Sequence, residues 1–175
     1  MIFFFSVFFV SQKSMQSNSY ALKAKINKKI SDRLFWLSLA VYFSSFVFPA
    51  YKTDMQSVGA KPMDHFGLEA FLLGPIGFFA GHFSWLANPF LWISWTKRDV
   101  SSSGGAAIWA VVSLLVAISF FLPKTIAVGS SGGYTYQPAV GFYLWIGSMS
   151  IALLSACLHP AYVKSAEIDT EILEK

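Results

Sequence analysis

The sequence predicts an all-α membrane protein: a compact bundle of four transmembrane helices with both termini in the cytoplasm. Three observations carry this. The chain is 55% hydrophobic and only 13% charged over 175 residues, whereas a soluble domain carries nearer a quarter charged residues. Its apolar residues gather into four blocks, each close to the ~20 residues that cross a bilayer at ~1.5 Å per residue. Its basic residues alternate with those blocks as the positive-inside rule requires.

The N-terminal run MIFFFSVFFV is too short to span and has neither a basic leader nor an A-x-A cleavage site, so it makes a poor signal peptide. Met15 is as good a start as Met1, and on the Met15 reading residues 1–14 are a misassigned extension. Residues 1–33 then read as a basic cytoplasmic segment. In YALKAKINKKISDR, Leu22, Ile26 and Ile30 recur every four residues among lysines. That pattern suits either an amphipathic helix on an anionic surface or a plain topogenic cluster, and the second reading is preferred.

The spans are read as 34–50, 67–95, 106–122 and 138–158, followed by an acidic cytoplasmic tail over 159–175 with Glu167, Asp169, Glu171 and Glu174. Lys13, Lys23, Lys25, Lys28, Lys29 and Arg33 precede the first span, and Lys97 and Arg98 separate the second from the third. The opposite connections hold Lys52, Lys61 and Lys124, offset by Asp54 and Asp64. Spans one and three end FVFPAYK and FFLPKTI, and the spans after them close on Asn88-Pro89 and His159-Pro160. This suggests two tandem helical hairpins, although repeated use of helix-ending prolines explains it equally well.

Within the second span Ala70, Gly74, Gly77, Gly81, Ser84 and Asn88 fall at steps of four and three, a stripe of small side chains for helix packing. Ala106, Ala110, Ser113 and Ala117 repeat the pattern in the third span, and Gly141, Ser148, Ala152 and Ser155 in the fourth. Trp36, Trp92, Trp95 and Trp109 read as interfacial anchors.

Three polar residues are candidate sites. His82 is ionisable and near mid-membrane by counting, where such groups are functional candidates by default; a neutral imidazole bonded to a neighbouring helix is the plainer reading. Glu69, in DHFGLEAF, either complements a helix N-terminus or opens a proton or cation path. Asn88 either caps the carbonyl that Pro89 cannot serve, bridges to another span, or contacts a substrate. Pro89 itself marks either a kink or a helix end.

Cys157 is the only cysteine, which excludes paired-thiol redox chemistry and cysteine-rich metal sites. His65, His82 and His159 fall at different depths in this topology, which argues against haem or zinc ligation. No phosphate loop, paired carboxylates or hydrolase motif appears, so no cofactor is implied. The leading expectation is a non-enzymatic protein of the bacterial inner membrane acting through protein–protein contact, as an accessory subunit or an immunity-type protector. Its partners are then the lipid bilayer and another membrane protein or a second copy, with no nucleic acid. The alternative is a small transporter or channel with His82, Asn88 and Glu69 along its route.

Overall fold

The computed structural model describes residues 2–54, 63–79, 83–98, 105–121, 125–127 and 133–159, with side chains over 22–53, 63–77, 83–98, 105–121 and 135–159. Among these residues five α-helices run as α1 Ile2–Ser44, α2 Gly67–Phe79, α3 Ala87–Lys97, α4 Gly105–Ile118 and α5 Val140–Leu158. Four strands, β1 Pro49–Asp54, β2 Met63–Phe66, β3 Thr125–Ala127 and β4 Gly133–Pro138, form one antiparallel sheet in the order β2-β1-β4-β3. Gly81, His82 and the tail 160–175 lie outside the described residues.

The expected all-α bundle of four transmembrane helices is therefore wrong in two respects. The connections between α1 and α2 and between α4 and α5 contain strands. Only α5 is long and apolar enough among the described residues to cross a bilayer. The block 34–50 stops being helical at Ser44, and its last residues, Pro49 and Ala50, begin β1. The block 106–122 yields α4 plus a 3-10 turn over Ser119–Phe121.

The long second block breaks altogether. It yields α2, a 3-10 turn over Ser84–Leu86, and then α3. Pro89 is in the first turn of α3, where its missing N–H and fixed φ cost little, so it starts a helix rather than ending one. The Trp85 indole folds back to donate to the Phe71 carbonyl (2.9 Å), and Trp92 reaches the Phe71 ring with centroids 6.1 Å apart. A continuous helix would hold positions 71 and 92 about 30 Å apart. Glycines weaken helix propensity, and Gly74 leaves the space the indole occupies: a Cβ there would collide with its ring.

The helices do not pair as tandem hairpins either. α1 packs chiefly on α5, α3 on α4, and α4 on α5, while α2 sits at the periphery against β1, β2 and the 3-10 turn. Small residues make these contacts. Ala106, Ala107, Ala110, Ser113 and Ala117 are the buried face of α4, and Gly141, Ser148, Ala152 and Ser155 belong to that of α5.

Serine hydroxyls tie neighbouring helices through backbone carbonyls. Ser31 and Ser155 do so reciprocally, at 2.7 and 2.8 Å, and Ser38 donates to the Ser148 carbonyl, Ser94 to Ala106 and Ser113 to Ala87, each at 2.8 Å. The Ser31–Ser155 contact also places the N-terminal part of α1 and the end of α5 at the same end of the molecule.

The sheet closes the opposite end. Period-two alternation puts Tyr51, Thr53 and His65 on one face and Lys52 with Asp64 on the other. Tyr51 meets Phe120, which packs on Tyr136 and Phe142, so the aromatic face lies over the helices. Lys52 and Asp64 are cross-strand partners 3.4 Å apart and about half exposed, a pair that adds little stability.

Arg98, read as one of the topogenic charges between the second and third blocks, is buried just beyond the end of α3. It bonds Asp32 and lies 4.5 Å from the Phe35 ring centroid, and Lys28 approaches Asp32 at 3.6 Å.

Candidate functional site

Between α2 and the rest of the molecule, under the aromatic face of the sheet, lies a half-open cleft of about 220 Å³. Ala70, Phe71, Gly74 and Gly77 of α2 form one wall. Phe46, Tyr51, Trp85, Phe120, Tyr136, Phe142 and Trp145 supply rings, and Ser45, Ser84 and Asn88 supply polar atoms. The small residues expected to seat a neighbouring helix thus line a cavity: Ala70, Gly74, Gly77, Ser84 and Asn88 all border it.

Asn88 is 4% exposed and makes three hydrogen bonds. Its Oδ1 accepts from the Tyr42 hydroxyl (3.0 Å) and the Trp145 indole (2.8 Å), and its Nδ2 donates to the Trp85 carbonyl (3.1 Å). Pro89 has no N–H to offer that carbonyl, so the neighbouring side chain serves it instead. One amide therefore joins α1, α3, α5 and the 3-10 turn. The sequence gives Asn88 its local role; its two long-range donors required the fold.

Glu69 lies apart, on the first turn of α2 at the sheet edge. Its carboxylate is 2.9 Å from His65 Nδ1, and His65 Nε2 is 3.1 Å from the Thr53 hydroxyl. A carboxylate only accepts, so in the neutral ring Nδ1 carries the hydrogen and Nε2 accepts from Thr53. The Tyr51 ring stacks on His65 at 4.7 Å. A hydroxyl–imidazole–carboxylate order is also the order of nucleophilic catalysis. Thr53, His65 and Glu69 do not line this cleft, and their contacts link α2 to β1 and β2.

Burial raises the Tyr51 phenol above its ordinary value of 10.0, with the Glu69 carboxylate adding to the shift. The folded chain keeps this proton at a pH where the unfolded chain releases it, so stability falls as pH rises through the ordinary tyrosine value. In a phenolate-absorbance titration, the difference between wild type and Tyr51→Phe should show a group ionising above pH 10. Glu69→Gln should lower it only partly, because burial is the larger cause. Ionisation at the ordinary value in wild type would contradict this.

The structure does not bring Asn88 and Glu69 together. Asn88 is in the cleft wall, Glu69 is held at the sheet edge, and His82 is outside the described residues. Sequence reasoning missed Tyr42, Tyr51, Trp85 and Trp145. The alternation through Tyr51-Lys52-Thr53 and GYTYQP was the available signal for the strands. No known protein family, curated protein or solved structure matches this chain.

Proposed function

We propose that this chain is a membrane-embedded protein that works by contact rather than catalysis. A neighbouring membrane protein seats an apolar side chain in the cleft beneath α2, a role of the accessory-subunit kind. The size and lining of the cleft carry this reading. Its volume of about 220 Å³ is below the ~300–1,000 Å³ of pockets that enclose a small-molecule ligand. Aromatic rings and glycines suit a protruding side chain, and the Asn88 amide is already committed to its own helices.

Placement in a membrane is supported by the distribution of polarity. Leu72, Ile76, Ile108 and Leu115 are all more than 60% exposed, while Ser31, Ser38, Ser113 and Ser148 are wholly buried. In water those large apolar side chains would stand exposed while hydroxyls are buried. Among acyl chains those side chains are solvated, and small-residue faces with interhelical hydroxyl bonds are how helices associate there. On this reading α5 crosses the bilayer and the basic residues of α1 lie on the cytoplasmic side, with the sheet opposite. A bacterial inner membrane fits that arrangement.

Site-specific photo-crosslinking tests the proposal. Benzoylphenylalanine at Leu73, in native membranes, should give one protein adduct of defined mass, and Gly77→Phe should abolish it by filling the cleft. Adducts with lipid alone, or a protein adduct indifferent to Gly77→Phe, would sink the contact reading. The transporter alternative needs Asn88 and Glu69 along one route, and of the two only Asn88 borders the cleft.

A further inference from the structure

Two prolines open gaps in the backbone bonding around the cleft, and Trp85 touches both. Pro75, inside α2, has no N–H to offer the Phe71 carbonyl four residues back. Pro89, in α3, does the same to the Trp85 carbonyl. A freed carbonyl is costly where water is absent, so neighbouring side chains must serve it. The Trp85 indole donates to the Phe71 carbonyl (2.9 Å), and the Asn88 amide donates to the Trp85 carbonyl (3.1 Å). Tyr42 and Trp145 in turn donate to that amide. The relay connects α2 through Trp85 and Asn88 to α1 and α5.

Beyond its first turn α2 is thinly held. Of residues 68–77 none is buried, and the main neighbours of this helix are β1, β2 and the 3-10 turn. Elements with few buried contacts are the ones that open at low cost. The first turn is anchored, with the Gly67 and Leu68 N–H groups on the Phe48 and Phe46 carbonyls and Glu69 on His65. Further along, the Phe71 ring lies 5.1 Å from Phe46 and 6.1 Å from Trp92. Acyl chains can replace those apolar contacts, but they cannot replace the indole N–H. Gly74 gives the indole its seat, since a Cβ there would occupy the same place.

We propose that α2 is a flap over the cleft and that the Trp85 indole is its latch. With the indole on Phe71 the flap is shut. With that bond broken, α2 swings about its anchored first turn and widens the cleft. Trp85 also borders the cleft, so an entering side chain and α2 draw on the same ring. Access to the contact site is then controlled from within the chain, an inference that rests on the contact reading above.

Spin labels at Ile76→Cys on α2 and Leu154→Cys on α5, both exposed positions, report the flap on a Cys157→Ser background. The purified chain is measured alone, without any partner. One main distance is expected, with a minor longer one. Trp85→Phe removes the donor and should raise the ratio of longer to shorter about 3–20-fold, the range set by single interhelical hydrogen bonds in membranes. If that variant does not fold, 3-benzothienylalanine at position 85 keeps the fused ring, lacks only the N–H, and should give the same rise. Pro75→Ala supplies the missing backbone N–H. On that background, loss of the indole donor should change the ratio less than about twofold, because the carbonyl is no longer orphaned. A distance distribution unchanged by loss of the donor overturns the proposal. An equal rise with and without Pro75 also overturns it, because the indole would not be acting through the orphaned carbonyl. The Leu73 adduct reads the contact separately: a flap that opens as expected with no adduct supports the latch and removes the contact reading.

Discussion

Asn88→Leu is expected to destabilise the protein by about 2–5 kcal/mol. The substitution keeps roughly the same volume and removes three hydrogen bonds at once. It leaves the Tyr42 hydroxyl, the Trp145 indole N–H and the Trp85 carbonyl without their partner. An orphaned buried polar group costs ~1–3 kcal/mol, while interhelical hydrogen bonds measured inside membranes average nearer ~0.6 and reach ~1.7. Three bonds across the membrane range of ~0.6–1.7 kcal/mol each sum to about 2–5 kcal/mol. Thermal unfolding in detergent should fall by roughly 5–15 °C for a chain of this length. Combining Asn88→Leu with Tyr42→Phe and Trp145→Phe should recover part of the loss, because removing both partners of a bond is far cheaper than removing one. A loss under ~0.5 kcal/mol would mean that the three groups find other partners, and the hub would not be a hub.

Gly67→Ala should come next, at about 1–3 kcal/mol or more, the ordinary cost of forcing extra volume into a packed site. Gly67 opens α2 where it presses on the end of α1. Its N–H bonds the Phe48 carbonyl at 2.9 Å, and the Leu68 N–H bonds Phe46 at 3.1 Å. An added methyl would collide with the Ser45 carbonyl oxygen and lie 2.9 Å from the Phe46 Cα. Those are backbone atoms, so no rotamer change relieves the contact; α2 itself must move. The expected readout is a lower melting temperature together with altered accessibility of the cleft, because Gly67 and Ser45 both border it. Gly147→Ala is the matching control: a Cβ there meets nothing within 4 Å, and it should be close to neutral. Equal melting temperatures for the two variants would refute the close-approach argument.

The difference between these two positions illustrates what a single sequence makes legible. Small residues at helical spacing in 106–117 mark the buried face of α4, since one helix turn sets which side chains share a side. The same rule applied to 70–88 identified the right residues but not their setting. Gly74 and Gly77 border a cleft because the helix breaks after Phe79 and Trp85 returns against Gly74. Proline and glycine content signalled that a break was available; where it falls depends on Trp85 finding the Phe71 carbonyl.

The sheet was the larger omission. Tyr51 pairs with Pro138 and with His65, Lys52 with Gln137 and Asp64. Runs of three to six residues have too little periodicity to stand out, and their partners are distant in the chain. Glu69 was visible as a helix-N-terminal acid, but its bond to His65 exists only because β2 leads directly into α2.

By itself the sequence determined properties that depend on near neighbours: an apolar composition in blocks, the small faces of α4 and α5, and a proline that leaves the Trp85 carbonyl to Asn88. Only the tertiary structure decided that α1 pairs with α5, that two connections close into one sheet, and that Asn88 gathers Tyr42 and Trp145. The physical reason is range. Helix periodicity and proline chemistry act within a turn or two, whereas strand pairing, interhelical hydroxyl bonds and a cleft wall need residues that only folding brings together.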